Sequence, residues 1–285
     1  MITSKTSFLA LIGNPVSHSL SPIIQNAAIQ YLGLDLIYIA IPCKNEDLEI
    51  IVNSLKKMNC KGLNITIPFK QKVFDICSEI SPVAKKVKAI NTLKLKDNKD
   101  WSGTNTDIDG FIYPLTNLNL INKSSLILGS GGAARSVIQG LINLKLSKIT
   151  IVSRNKNSLN ELITNFKDQI KIEGILSTNI KIDNIIQRTD LIVNTTPIGM
   201  SKTKNEDEIP FGQNFWDSIN SETIVYDLIY NPCPTPFLKF CDKKGCMIID
   251  GTQMLIAQGA KSLSFWTNGL EVPFEVMHDA LKKYL

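Results

Sequence analysis

The sequence predicts an α/β protein of two domains, and three observations carry that expectation. The first is length: 285 residues exceed the roughly 100–150 residues of a common single domain. The second is alternation. Short apolar runs recur between longer segments of helical character in both halves, as strands joined by crossover helices do. The third is a glycine-rich stretch, Gly129-Ser130-Gly131-Gly132, that separates an apolar run from a helix-like one near mid-chain.

In chain order, the first half reads as a strand over Phe8–Ile12, a helix near Pro22–Tyr31 and a strand over Leu36–Ala40. A helix near Glu46–Met58, a strand over Leu63–Ile67 and a helix near Lys70–Cys77 follow. Ile90–Lys96 and Trp101–Gly103 read as a small hairpin around Asp97-Asn98. The second half reads as strands over Leu126–Leu128, Ile149–Ser153, Ile170–Ile175, Leu191–Asn194, Thr223–Asp227 and Met247–Ile249, with helices over Ala133–Leu144 and near Ser158–Phe166. Such alternation predicts doubly wound parallel sheets. The Asn-rich segment Thr116–Asn122 places a domain boundary between Asp107 and Leu126. Gly251–Trp266 and Pro273–Leu285 read as closing helices, and periodicity leaves open which domain they pack on.

Composition narrows the classes. The 44% hydrophobic content supplies a core and argues against wholesale disorder. The six cysteines form no C-x-x-C pair and no Cys/His cluster of zinc spacing, so no metal is expected. Scattered single cysteines suit a reducing, cytoplasmic setting. The start, Met1–Ser7, is polar and does not read as a signal peptide. No apolar run nears the ~20 residues that span a bilayer, so no membrane partner is expected. The net charge of +5 comes from lysines spread along the chain, without the basic stripe or aromatic platform of a nucleic-acid surface. Only three arginines occur, and two of them, Arg135 and Arg154, fall beside the glycine-rich stretch and the strand after it. Arginine forks onto phosphate in a way lysine does not.

The glycine-rich stretch carries the first chemistry. Leu126-Ile127-Leu128 runs into Gly129-Ser130-Gly131-Gly132, and Ala133 opens an amphipathic helix. Glycines let the backbone approach a pyrophosphate, and free N–H groups at the helix start hold its charge. An NAD site places a carboxylate at the end of the next strand, for the ribose 2′-hydroxyl. Here that strand ends in Ser153-Arg154-Asn155-Lys156. A cation stands where a 2′-phosphate needs one, so the expected cofactor is NADP. Asn194–Met200 follows a later strand and suits a wall of the same crevice, or a simple turn made by Pro197 and Gly199.

Four segments carry polar residues whose placement suits a second site. In Gly13–Pro22, Ser21 before Pro22 reads as a helix N-cap, which leaves Ser19 as a hydroxyl for a polyol or carboxylate ligand. In Asn64–Lys70, Asn64 and Thr66 share one strand face, with Lys70 beyond them as either a reactive amine or an ordinary surface lysine. The others are Ala89-Ile90-Asn91-Thr92 and Gly103–Gly110, where Asp107 is either a helix N-cap or a carboxylate partner for Lys70. Hydride transfer at a nicotinamide must be matched by a proton on the alcohol or ketone oxygen, and a positioned lysine supplies and recovers it.

These segments together, in this order, resemble the shikimate dehydrogenases over essentially the whole chain. Asp227–Pro232 and Asp250-Gly251 through Gln258 add to the match. The resemblance implies a mixed-sheet substrate domain over residues 1–106 and 246–285, and a doubly wound Rossmann-type NADP domain over 107–245. The C-terminal helices return to the N-terminal domain. It implies reversible NADPH-dependent reduction of 3-dehydroshikimate to shikimate, a step of aromatic amino acid biosynthesis. Ser19 and Ser21 then bind the substrate carboxylate, and Thr66, Asn91, Asp107 and Gln258 its hydroxyls. Tyr230 also contacts substrate. Lys70 is the acid/base, assisted by Asp107. Gly129, Ser130, Gly131, Gly132 and Ala133, with Ser153, Arg154, Asn155, Lys156, Asn157 and Ser158, hold NADP, while Leu228 and Gly251 lie near the nicotinamide. Ser153 replaces the family's usual Asn, and Ser130 its frequent Ala. A monomer or homodimer is expected. The alternatives are a quinate/shikimate dehydrogenase with relaxed cofactor use, against which Thr66 and the uncharged Asn155 argue, and a non-catalytic NADP-binding regulator.

Overall fold

The computed structural model describes residues 2–97, 99–177 and 183–285. The chain forms two compact units, Met1–Gly110 with Leu255–Tyr284, and Phe111–Met254. In the first, β1 (Ser7–Gly13), α1 (Ser21–Tyr31), β2 (Leu36–Pro42), α2 (Leu48–Lys57) and β3 (Cys60–Ile65) lead. They are followed by β4 (Cys77–Ile80), α3 (Pro82–Val87), β5 (Thr92–Leu95), β6 (Trp101–Thr104) and the start of α4 (Asp107–Ile112). The strands align as β2-β1-β3-β5-β6-β4. β1 runs parallel to β2 and β3, and β4 to β6, while β5 is antiparallel to both neighbours. The sheet is therefore mixed, as expected.

The second unit holds β7 (Ser124–Leu128), α5 (Gly132–Asn143), β8 (Lys148–Ser153), α6 (Lys156–Phe166) and β9 (Lys171–Leu176). It continues with α7 (Asp183–Gln187), β10 (Leu191–Asn194), β11 (Ile224–Asp227), α8 (Pro236–Lys243) and β12 (Met247–Ile249). Its strands are all parallel, in the order β12-β11-β10-β7-β8-β9. Counted from β7 this is the 3-2-1-4-5-6 order of a doubly wound dinucleotide fold, whose ligand crevice opens where the order reverses. Helices on both faces require strands buried on both sides, and Leu126, Ile127 and Leu128 of β7 and all four residues of β10 are buried.

The last helices, α9 (Thr252–Trp266) and α10 (Phe274–Lys282), resolve what periodicity left open. From Leu255 onward they belong to the first unit. Gln25 of α1 donates to the Gly259 carbonyl at 2.9 Å, and the Trp266 indole N–H donates to the Leu93 carbonyl of β5 at 2.7 Å.

The sequence expectations miss in a few places. Lys70–Cys77 is no α-helix: Lys72–Ile76 is a 3-10 turn, and Cys77 already begins edge strand β4. Val73 alone in that turn is buried, while Phe74 and Ile76 pack against the core only in part. Ser21 is not the N-cap of α1. The helix starts at Ser21, the cap position is Leu20, and no side chain caps it. Helices α3 and α8 were not expected, although Ser81 before Pro82 and Thr235 before Pro236 cap them. In the hairpin, Lys96 N–H donates to the Asp100 carbonyl at 2.9 Å, whereas Asn98 lies outside the described residues.

Gly62 of β3 shows how closely α9 covers this sheet. A Cβ there would stand 2.1 Å from Trp266 Nε1. Gly62→Ala is expected to destabilise the protein by about 1–3 kcal/mol by displacing the indole. Denaturant unfolding checks this, and an unchanged midpoint would show that Trp266 yields freely.

Candidate active site

In the first unit, strand pairing gathers the polar residues. Asn64 of β3 faces Thr92 of β5 across an antiparallel ladder, so Asn91 lies just beyond the end of β5. Ile90 N–H donates to the Lys70 carbonyl at 2.8 Å, Ile65 N–H to the Asn91 carbonyl at 2.8 Å, and Asn91 N–H to the Thr104 carbonyl at 3.2 Å. Three stretches distant in sequence are thus tied together by backbone bonds. The result is an ion pair: Lys70 Nζ stands 2.6 Å from Asp107 Oδ2, with side-chain exposures of 14% and 6%. Asn91 Nδ2 donates to the other carboxylate oxygen, Oδ1, at 2.8 Å.

Asp107 therefore spends both oxygens on side-chain partners and caps no helix. Ile108 N–H is taken instead by Asn105 Oδ1 at 3.3 Å. An ammonium has three protons to give. Lys70 gives one to Asp107, and its others have no side-chain partner among the described residues. A partly buried cation of this kind, held from one side, suits delivery of a proton to an oxygen placed on its other side.

The remaining expected substrate residues fall into place with less internal bonding. Ser19 Oγ accepts from Ser21 N–H at 3.2 Å. The Ser21 side chain is buried yet makes no side-chain hydrogen bond among the described residues. Strand β3 ends at Ile65, and Thr66 N–H donates to the Ile12 carbonyl at 2.9 Å. Thr66 therefore lies at the end of β1, from which the Ser19–Ser21 loop departs. Gln258 lies on α9, where its amide donates to the Leu255 carbonyl at 2.8 Å. Tyr230 lies in the second unit, on the stretch after β11.

In the second unit, β7 turns at Gly129, whose φ of +101° favours glycine. Helix α5 opens at Gly131 with no side-chain cap. A Cβ on Gly131 would meet nothing within 4 Å. The amides of Gly131–Ala134 have no partner in turns or loops among the described residues, and a helix start with free donors fits a phosphate group. Arg154 follows β8, exposed and in no ion pair among the described residues. No carboxylate stands among 153–158. These features fit a dinucleotide bearing a 2′-phosphate.

The neighbouring polar residues mostly hold the loop. Asn155 caps α6, accepting from Asn157 and Ser158 N–H at 2.9 and 3.1 Å. Ser130 Oγ lies 2.7 Å from Ser153 Oγ and 2.6 Å from Ser158 Oγ. The two departures from the family pattern, Ser130 and Ser153, are thus hydrogen-bond partners. Arg135 differs from its reading as a phosphate ligand. It is 2% exposed and joins α5 to α6 through Glu161, at 2.6 Å. Leu228 N–H donates to the Asn194 carbonyl at 3.1 Å and Gly251 N–H to the Ile229 carbonyl at 3.0 Å, which brings Leu228 and Gly251 side by side.

A buried knot fixes those loops. Asp227 is fully buried and accepts from Asn194 Nδ2 at 3.0 Å, Thr235 Oγ1 at 2.8 Å and Ile229 N–H at 3.1 Å. Asn194 Oδ1 in turn holds Thr196 N–H at 3.0 Å. Sequence reasoning assigned Asp227 no such role; the cue was an acidic residue ending an otherwise apolar strand.

The chain is similar to known proteins along its whole length. Residues 11–93 match the shikimate dehydrogenase substrate binding domain, and residues 251–282 the shikimate 5′-dehydrogenase C-terminal domain. A shikimate dehydrogenase (NADP(+)) of Prochlorococcus marinus subsp. pastoris is 87% identical over 285 residues, covering 100% of both chains. The crystal structure of the shikimate dehydrogenase of Aquifex aeolicus superposes with a TM-score of 0.87 at 33% identity, covering 99% of each chain. A shikimate dehydrogenase solved in complex with NADP+ gives a TM-score of 0.88 at 34% identity, covering 100% of this chain and 97% of that one.

Desolvation pushes the Asp227 carboxyl up to about 7, against the pull of its three donors. The folded state then keeps a proton that the unfolded chain releases near pH 3.8. The associated stability is full below that pH and is lost as pH rises through about 7. Asp227→Asn lacks this loss, so its melting temperature relative to wild type should rise between about pH 5 and pH 8. A difference that stays flat over that range would contradict the protonated assignment.

Proposed function

The chain belongs to the shikimate dehydrogenase family, and on that premise we propose that it catalyses the reversible NADPH-dependent reduction of 3-dehydroshikimate to shikimate. The observation that carries this reading is the 2.6 Å Lys70–Asp107 pair, with Asn91 bound to the free carboxylate oxygen. When bound, NADPH supplies the hydride. Lys70 gives a proton to the ketone oxygen in reduction and takes it back from the hydroxyl in oxidation. Asp107 aims the ammonium and accepts from a substrate hydroxyl. Asn91, Thr66 and Gln258 hold the ring hydroxyls, and Ser19 and Ser21 hold the carboxylate. The unspent Ser21 hydroxyl supports that role. Tyr230 also contacts the substrate.

For the cofactor, the Gly129–Ala133 turn takes the pyrophosphate on its free amides. Arg154 takes the 2′-phosphate with Lys156, while Ser153, Asn155, Asn157 and Ser158 shape the turn that presents it. Leu228 and Gly251 flank the nicotinamide. Most substrate roles thus fall to residues 1–106 with 246–285 and most cofactor roles to 107–245, with Asp107, Tyr230 and Gly251 the exceptions. The six cysteines are all unpaired, which supports a cytoplasmic setting.

Absorbance at the reduced-nicotinamide band, with shikimate or quinate and NADP+ or NAD+, tests the reading. Shikimate with NADP+ should be the fastest pair. Equal rates with quinate and NAD+ would point to a relaxed quinate/shikimate enzyme, and NADPH binding without turnover to a regulator. Run in the reductive direction with 3-dehydroshikimate, the same assay should show Arg154→Asp raising the KM for NADPH far more than that for NADH. Equal effects would refute Arg154 as the 2′-phosphate ligand.

A further inference from the structure

Behind Asn91 lies a set of hydroxyls that the reaction itself does not use. Ser262 of α9 is completely buried, at 0% exposure. Its Oγ stands 2.9 Å from Thr92 Oγ1, 3.1 Å from Thr106 Oγ1, 2.9 Å from Asn64 Nδ2 and 3.0 Å from the Gln258 carbonyl oxygen. A hydroxyl has one proton and two lone pairs, so direction matters.

One closed direction is consistent with the neighbours. Thr106 N–H donates to Asn91 Oδ1 at 2.8 Å, which identifies the oxygen of that amide. Asn91 Nδ2 then donates to Thr106 Oγ1 at 2.9 Å as well as to Asp107. From there the protons run one way. Thr106 donates to Ser262, Ser262 to Thr92, and Thr92 to Asn91 Oδ1 at 3.0 Å, which returns to the amide where the path began. In this ring each hydroxyl gives once and accepts once. Asn64 donates into it, and Tyr38 OH fixes Asn64 by donating to its Oδ1 at 2.8 Å. The Gln258 carbonyl is the alternative acceptor for the Ser262 proton.

We propose that Ser262 is a positioning residue. It closes a hydrogen-bond ring that keeps the Asn91 amide nitrogen turned to Asp107, and so sets the carboxylate that aims Lys70. It also ties Asn91 to the helix turn carrying Gln258. Burying a hydroxyl costs free energy unless its bonds are made, and packing alone would be served by alanine. The inference rests on the proposed roles of Asn91, Asp107 and Gln258.

The test is steady-state kinetics of wild type, Ser262→Ala, Thr92→Val and the double variant, alongside their melting temperatures. Ser262→Ala should lower kcat/KM for shikimate by about tenfold, the weight of one such buried bond, with the KM for NADP+ unchanged. Thr92→Val should do the same, and the double variant should lose little more, because both break one ring. If Ser262→Ala does not fold, the near-isosteric Thr92→Val carries the same expectation alone. Wild-type kcat/KM in Ser262→Ala, or losses that multiply in the double variant, would overturn the ring. So would equal damage to the NADP+ KM. A wild type that never turns shikimate over would sink the proposed function beneath it, and the wild-type control tells that case apart.

Discussion

Everything about the first unit depends on keeping one ammonium and one carboxylate paired where water scarcely reaches. At side-chain exposures of 14% and 6%, removing one partner of a pair like Lys70 and Asp107 leaves a charge uncompensated, at a cost of about 3–5 kcal/mol. Further hydrogen bonds to the spare valences help such a pair offset its desolvation. Asn91 meets one, and the mixed sheet makes that possible. The antiparallel turn of β5 between β3 and β6 places Asn91 against both the Lys70 turn and the start of α4. Were β5 parallel to its neighbours, its start, and Asn91 with it, would lie at the opposite edge of the sheet.

The second unit solves a different problem, holding open a phosphate site with few charges. The turn at Gly129 and the uncapped start of α5 supply donors from the backbone alone. Buried Arg135 and Asp227 serve the scaffold around them. Arg135 clamps α5 to α6, and Asp227 ties three loop segments to one carboxylate. Arg154, by contrast, is exposed after β8, and the proposed 2′-phosphate role falls to it and to Lys156. Burial separates structural from functional charge here, where residue type did not.

The architecture was legible in sequence wherever a strong period or a glycine turn marked it, and the β7–α5 unit is the clearest case. Capping was read at the wrong place. Ser21-Pro22 looked like a cap and is not, whereas Ser81-Pro82 and Thr235-Pro236 start helices with their side chains engaged. Edge strand β4 was lost because four residues with no buried face carry no periodic signal. The Lys70–Asp107 pair spans 37 positions; residue chemistry offers it as one of two readings of Asp107, and no local pattern joins residues that far apart. Thr106 and Ser262 were invisible for the same reason. A hydroxyl at 0% exposure on a helix reads in sequence as a surface serine.

The account stands or falls on Lys70. The most direct measurement is kcat for shikimate oxidation by Lys70→Ala, with NADPH affinity measured on the same preparation as a control for folding. The account predicts a fall of about 10²–10⁴ in kcat, the usual weight of a positioned acid/base, with NADPH still bound as in wild type. Turnover close to wild type, with the cofactor site intact, would contradict it.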